Sequence, residues 1–210
     1  MAGRNIAPTK TNLMGIKQEL EFARLGHDLL DQKRNILIVE LLNLVDQASD
    51  YETQVETVLA DAYHDLEEAV LRMGRRKTIS VTNAVDIDAQ LTISQRQIMG
   101  VRLPVVDTKF AEHPPYYSPA GTSFWIDTSL NKFKEALHLM GHLAELKISI
   151  VRLAAEVKKT IRKVNALQKI AIPELQETAK SIQDRLEENE RDMFVLMKMV
   201  KARLEAKQEQ

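Results

Sequence analysis

Residues 13–62 read LMGIKQELEFARLGHDLLDQKRNILIVELLNLVDQASDYETQVETVLADA. Within them Leu13, Ile16, Leu20, Ala23, His27, Leu30, Arg34, Leu37, Leu41, Leu44, Ala48, Tyr51, Val55, Val58 and Ala62 recur at alternating steps of three and four, and only His27 and Arg34 are polar. An amphipathic helix of a compact domain needs such a stripe for three or four turns. A seven-residue repeat held this long specifies an extended left-handed coiled coil. Pro8-Thr9 followed by Thr11-Asn12 supplies a helix start, and Gly74 followed by Arg75-Arg76-Lys77 supplies a stop with cations at the negative end of the dipole. At about 1.5 Å per residue, a helix over 9–73 is about 95 Å long, which no compact core accommodates.

Residues 128–210 carry a second helical stripe that changes phase twice. Leu130, Phe133, Leu137 and Met140 begin it, and Leu143, Leu146, Ile150, Leu153, Val157, Val164, Leu167 and Ala171 continue it one step early. After Pro173 it resumes as Leu175, Ala179, Ile182, Leu186, Met193, Leu196 and Val200. Such offsets locally over- or underwind a coiled coil. Pro173 lacks an N–H and crowds the preceding turn, so it bends the helix, either as a simple kink or as a candidate hinge.

Between the two helices the period changes to two. Val85, Ile87, Ala89, Leu91 and Ile93, then Met99, Val101, Leu103 and Val105, alternate with mostly polar neighbours on either side of Ser94-Gln95-Arg96-Gln97. This predicts an antiparallel hairpin that turns at that polar link and has one apolar face, laid on the coil or on a partner. Residues 112–121, EHPPYYSPAG, read as an irregular loop. The predicted class is mainly α: two very long helices in an antiparallel left-handed coiled coil, with a short β-hairpin and loop between them. The predicted segments are 1–74, an N-terminal coiled-coil helix; 75–127, hairpin and loop; and 128–210, a C-terminal coiled-coil helix kinked near Pro173. Together they form one structural unit.

Charge supports the antiparallel fold-back. Residues 40–68 hold nine acidic residues and no Lys or Arg, and residues 147–169 hold seven basic residues against Glu156 alone. Pairing Leu13 near Val200 and Val70 near Leu143 sets these blocks side by side, whereas a parallel pairing separates them. The alternative is two solvated faces of opposite sign.

Globally, 29 basic and 30 acidic residues nearly cancel, so the chain lacks the basic excess of a nucleic-acid binder. It has no cysteine, which removes disulfides, thiolate zinc sites and cysteine nucleophiles. No stretch approaches about 20 consecutive apolar residues, so no membrane span is expected. His138 and His142 stand one turn apart but lack the flanking Glu and third ligand of a metalloprotease motif. No Gly-rich phosphate loop occurs. No catalytic residue, metal or cofactor is expected.

The motifs themselves resemble a known family. Pro8-Thr9-Lys10-Thr11-Asn12-Leu13 and Gly26-His27-Asp28-Leu29-Leu30-Asp31-Gln32-Lys33-Arg34 are similar to the N-terminal signature of the D subunit of V-type and A-type rotary ATPases. Met99-Gly100-Val101-Arg102-Leu103-Pro104 resembles its middle motif. Val164-Asn165-Ala166-Leu167-Gln168 with Ile172-Pro173-Glu174-Leu175, continued by Leu186-Glu187-Glu188-Asn189-Glu190-Arg191, resembles its C-terminal signature. Asp31-Gln32 stand where basic residues are common, and Gln168 stands where Glu is common. The short tail after the second helix is more like prokaryotic members.

The resemblance implies a non-catalytic central shaft that couples ATP hydrolysis or synthesis in a head of A and B subunits to H+ or Na+ movement through a membrane ring. It implies as partners those catalytic subunits, the F subunit of the stalk and the funnel-shaped subunit above the ring. The implied place is cytoplasmic and peripheral to the membrane, and the subunit is not a homo-oligomer in the complex. On this reading the shaft's tip comprises residues 1–30 and 185–210, with Lys10, Lys17, Arg24, Lys198, Lys201 and Arg203 as head contacts. The hairpin residues Val85, Ile87, Leu91, Met99, Val101 and Leu103 are a partner site beside the F subunit. The competing readings are a free-standing coiled-coil scaffold and a membrane-surface coiled coil.

Overall fold

The computed structural model describes residues 6–111 and 115–208, with side chains through Leu204. His113 and the start of the Pro-Pro loop lie outside the described residues. The elements are α1 (Lys10–Met73), α2 (Arg75–Thr82), β1 (Ala89–Ile98), β2 (Val101–Phe110), α3 (Phe124–Ala166), a π-helical turn (Leu167–Ala171) and α4 (Ile172–Gln208). They divide into two units: Met1–Asn35 with Lys158–Gln210, and Ile36–Val157.

In the unit Ile36–Val157, the second part of α1 pairs with the first part of α3 in antiparallel coiled-coil fashion. Lys147 Nζ meets Glu52 Oε1 at 3.0 Å, the Ser129 hydroxyl donates to the Ala62 carbonyl at 3.0 Å, and Tyr63 packs edge-on against Phe133. Partner numbers fall as α1 numbers rise. Leu37, Leu44, Ala48, Val55, Ala62 and Ala69 are buried on α1, and Leu146, Leu153 and Val157 on α3. Leu41, Val58 and Ile150 are half-buried. At its start, the seam of α3 differs from the apolar stripe in the sequence. Ile126, Ser129 and Ala136 are buried, while Leu137 is 40% exposed. Small residues fill the interface there, and one of them ties its hydroxyl to the facing backbone, so hydrophobicity alone points to the wrong neighbour.

The level of Leu143 is set by its neighbour His142, whose ring stands 6.1 Å from that of Tyr51, so Val70 is not its partner. The charge blocks are offset accordingly. Lys158, Lys159, Arg162, Lys163 and Lys169 belong to the other unit, and only Lys147 and Arg152 of the basic block share a unit with residues 40–68.

In the unit Met1–Asn35 with Lys158–Gln210, Ile16 packs with Leu175, Ala179 and Ile182, flanked by Leu13, Leu20, Ala23 and Leu186. Val164 is buried, and Leu30 and Leu167 are half-buried. Lys10 Nζ lies 2.8 Å from Glu190 Oε1. The register thus differs from a Leu13–Val200 pairing by roughly two heptads, because a repeat of seven looks the same to itself after any whole number of repeats. The displaced residues of α4, including Met193, Leu196 and Val200, are exposed instead of extending the seam.

The helix runs through Pro173 by way of the π-helical turn. One extra residue in that turn shifts the seam, so Leu167, Ala171 and Leu175 follow at successive steps of four. The irregular turn next to the missing N–H is how the backbone accommodates the proline. After Gly74 (φ 79°) the chain starts a new helix, α2, in a stretch expected to be hairpin and loop; the Thr78 hydroxyl donates to the Gly74 carbonyl at 3.2 Å. The β-branched residues Thr78, Ile79, Val81 and Thr82 conceal this helix from propensity reasoning.

The hairpin turns at Met99-Gly100, not at Ser94–Gln97. Both turn residues have positive φ, 47° and 84°, as a two-residue type I′ connection requires. Ile98 pairs with Val101 and Ala89 with Phe110. Each residue shares a face with the one opposite, so Leu91 and Ile93 lie with Thr108 and Val106, and Leu103 and Val105 lie on the other face with Arg96 and Ser94. The expected single apolar face therefore does not exist. Val85 and Ile87 precede the strand.

Candidate functional site

The hairpin is fixed through β2. Its register makes Val106, Pro104 and Arg102 non-hydrogen-bonded positions, whose backbone groups point away from β1. The Val106 N–H donates to Glu145 Oε2 at 2.9 Å, and Arg152 donates to the Arg102 carbonyl at 2.9 Å. Pro104 occupies the same outward row, where a missing N–H costs no ladder bond. Gly141, one turn before Glu145, gives Thr108 room: a Cβ there lies 2.7 Å from the Thr108 hydroxyl. Leu103 is fully buried, whereas β1 is exposed along nearly its whole length, with Leu91 at 63% and Ile93 at 69%. Gly141, Glu145 and Arg152 give no signal in the sequence, because each acts on backbone or by absence of a side chain.

Asp65 belongs to the acidic block of residues 40–68, yet it continues the heptad repeat three residues after Ala62 and is buried. Lys132 Nζ lies 2.8 Å from Asp65 Oδ2. The hydrogen bond to Asp65 raises the lysine's pKa, with partial burial opposing it and the carboxylates of Asp65, Asp61 and Glu135 adding to it. Extending the repeat by one position finds Asp65.

The polar seam positions His27 and Arg34 are half-buried. His27 Nδ1 lies 3.1 Å from Asp28, and Arg34 lies 2.7 Å from Asp31 and 3.2 Å from the Asn35 side-chain oxygen. These partners stand on their own helix. His138 and His142 stack edge-on at 4.9 Å, and His142 Nδ1 is 4.0 Å from Glu145. Among the described residues no group of three or more His, Cys, Asp or Glu is placed to hold a metal. None of their helices is long and apolar enough to cross a membrane.

The end of α4 is exposed on all sides. From Glu187 through Leu204 every residue is exposed, and these include Met193, Phe194, Val195, Leu196, Met197, Met199, Val200 and Leu204. They surround the helix instead of forming one stripe. Lys198 lies over the Phe194 ring at 5.6 Å. Lys10, Lys17, Arg24, Lys201 and Arg203 are exposed as well. The Lys10 hydrogen bond and charge lower the pKa of Glu190, and Glu190 raises that of Lys10.

Residues 12–202 match the family described as the D subunit of ATP synthase. The A-type ATP synthase D subunit of Thermococcus sibiricus is 36% identical over 205 residues, covering 96% of each chain. The corresponding A-type subunit of Methanosphaera stadtmanae is 35% identical, covering 97% of this chain and 96% of its own. The V-type ATP synthase D subunit of Thermotoga neapolitana is 33% identical, covering 95% and 98%. The chain belongs to the ATP synthase D-subunit family. This subunit is a central-stalk component of rotary ATPases and is structural, not catalytic. Three of the motifs singled out in the sequence include irregular backbone, whereas Gly26–Arg34 and Leu186–Arg191 lie in continuous helix. Thr9 accepts from the Asn12 N–H at 3.2 Å at the start of α1, Met99-Gly100 make the hairpin turn, and the π-helical turn sits between Ala166 and Ile172.

Proposed function

We propose that this chain is the rotating shaft of its complex and that the end of α4 is the part turning inside the ring of catalytic A and B subunits. The observation that carries this reading is the helix end beyond Glu190, where exposed apolar residues stand on every side. Contiguous exposed apolar surface of this kind marks an interaction site. A sleeve surrounding the helix suits it better than a flat partner, because no single face is polar. Lys10, Lys17, Arg24, Lys198, Lys201 and Arg203 make passing contacts with acidic groups of the head. The chain sits at the cytoplasmic face, peripheral to the membrane, and couples ATP hydrolysis or synthesis to H+ or Na+ translocation.

The hairpin, carrying Leu91, Met99, Val101 and Leu103 and preceded by Val85 and Ile87, is the contact for the F subunit. Where α1 stops, exposed Leu71, Ile79 and Phe124 beside Arg72, Arg75, Arg76 and Lys77 seat the funnel-shaped subunit. Pro173 with its π-helical turn is a point of bending under torque. The segments 1–74, 75–127 and 128–210 act as one shaft with a lateral insertion. Removing the residues after Met193 tests the central claim. ATPase activity is expected to continue without ion pumping, with nucleotide binding by the head intact; normal coupling in the truncated complex refutes it.

A further inference from the structure

β1 is an edge strand without the usual protection. Among the described residues the sheet has two strands, and β2 is the one held to α3, so the outer row of β1 has no strand beside it. The residues whose N–H and C=O point outward are those opposite the outward positions of β2: Leu91 opposite Thr108, Ile93 opposite Val106 and Gln95 opposite Pro104, with Ala89 and Gln97 in the same row. Ten residues long, β1 has no proline, and Arg96 is its only charge. Such an edge pairs with another strand unless something blocks it.

The sequence around this edge is complementary to itself. When an antiparallel copy is centred on Thr92, Leu91 lies opposite Ile93 of the second copy, and Ala89 lies opposite Gln95. All four belong to the outward row, so the register is one the backbone can hydrogen-bond. On the other face Gln90 meets Ser94, Thr92 meets Thr92, and Asp88 meets Arg96. Asp88 already extends the ladder, since its carbonyl accepts the Ala111 N–H at 3.1 Å. Asp88 and Arg96 are both exposed and have no ion pair among the described residues. The register thus joins apolar to apolar, acid to base and hydroxyl to hydroxyl.

We infer that the free chain, before it enters its complex, forms a symmetric dimer by β1-to-β1 pairing about Thr92, giving a four-stranded antiparallel sheet across two copies. The occupant of the edge is a second copy of this chain. Two symmetry-related Asp88–Arg96 pairs select the register, because any other centre loses both at once. Self-pairing caps an edge that is open until assembly, and a shaft used as one copy must shed its twin to enter the complex. Such pairing is independent of which subunit contacts the hairpin later.

The test uses the full-length chain purified alone, with sedimentation over a range of concentrations and circular dichroism to confirm folding. The parent chain is expected to dimerise. Asp88→Lys and Arg96→Glu are each expected to weaken the dimer by about tenfold or more, since each sets like charges opposite in both pairs. Mixing the two variants restores a heterodimer, because the lysine introduced at position 88 of one copy then meets the glutamate introduced at position 96 of the other, while the remaining pair is Asp88 with Arg96 as in the parent. Leu91→Pro is expected to abolish pairing without disturbing the hairpin, as Pro104 does on β2. A monomeric parent chain overturns the inference. So does a dimer indifferent to both charge variants and to Leu91→Pro, which would assign self-association to another surface such as the end of α4.

Discussion

Replacing Gly141 by Ala sets two effects of known sign against each other. In an exposed helix interior, Gly→Ala stabilises by about 1 kcal/mol. At position 141 the new Cβ comes 2.7 Å from the Thr108 hydroxyl and 3.9 Å from Val106 Cγ1. Thr108 is buried, so its hydroxyl has little room to retreat, and overpacking of this kind costs about 1–3 kcal/mol. The helix has the simpler escape: α3 accepts the alanine and β2 lifts off it. Global stability by denaturant unfolding is therefore expected to change little. Amide exchange at Val106 should accelerate, because its N–H loses Glu145 Oε2, 2.9 Å away in the parent structure. Thr108→Ala removes the obstructing oxygen, so the double variant should regain Val106 protection and show the helix gain openly. A single Gly141→Ala variant stabilised by the full propensity gain, with Val106 as protected as before, refutes the account of how the hairpin is held.

Leu44→Ala, at a nearly fully buried seam position, is expected to destabilise the unit Ile36–Val157 by about 2–5 kcal/mol in denaturant unfolding, whereas Leu42→Ala, on an exposed face, should change little. Glu190 should titrate below an ordinary glutamate in a carboxyl NMR titration, because Lys10 hydrogen-bonds to and neutralises the carboxylate. A depressed carboxyl pKa favours the folded pairing above the ordinary glutamate range and loses that contribution as pH falls through the lowered value. Lys10→Met should move the midpoint back up. Lys132→Met leaves Asp65 buried without its cation and is expected to lower the denaturant midpoint, while Asp65→Leu with Lys132→Leu should leave it unchanged or raise it.

The long helices were legible because their signal is additive. Fifteen seam positions between Leu13 and Ala62 are all buried or half-buried, including His27 and Arg34. The hairpin's existence was legible from its alternation, but its turn was not. Polar Ser94–Gln97 looks like a link only if polarity marks turns. A two-residue connection instead needs two positive-φ positions, and Gly100 is the residue that supplies one cheaply. Shifting the turn changes which residues share a face, since a strand reverses its sides with every one-residue step. The hairpin's attachment was invisible for a different reason. Glu145 and Arg152 bind backbone groups of β2, and Gly141 contributes only space, so hydrophobicity cannot mark any of them.

Register was the least legible property, and the reason lies in the repeat that made the helices obvious. Sliding one arm by seven residues returns a, d positions to a, d positions, so Leu13 fits near Val200 nearly as well as near Leu186. Contacts that do not repeat must therefore choose among the alternatives. Asp65 with Lys132 is such a contact, since a slide by one heptad moves Lys132 away and leaves a carboxylate in the seam. The Ser129 bond to the Ala62 carbonyl is another, because it needs a hydroxyl at one level only. Both stand near the end of α1, close in sequence to Gly74, where the chain leaves the coil. A register fixed there is carried along the repeat within that unit by the seam itself. An ion pair whose carboxylate alone is buried can add little net stability and still decide the alignment, because each wrong register strands that carboxylate in the seam. The double apolar variant separates the two quantities: it keeps or raises stability while removing the penalty, so alternative registers should become populated and detectable by cysteine cross-linking at positions one heptad apart.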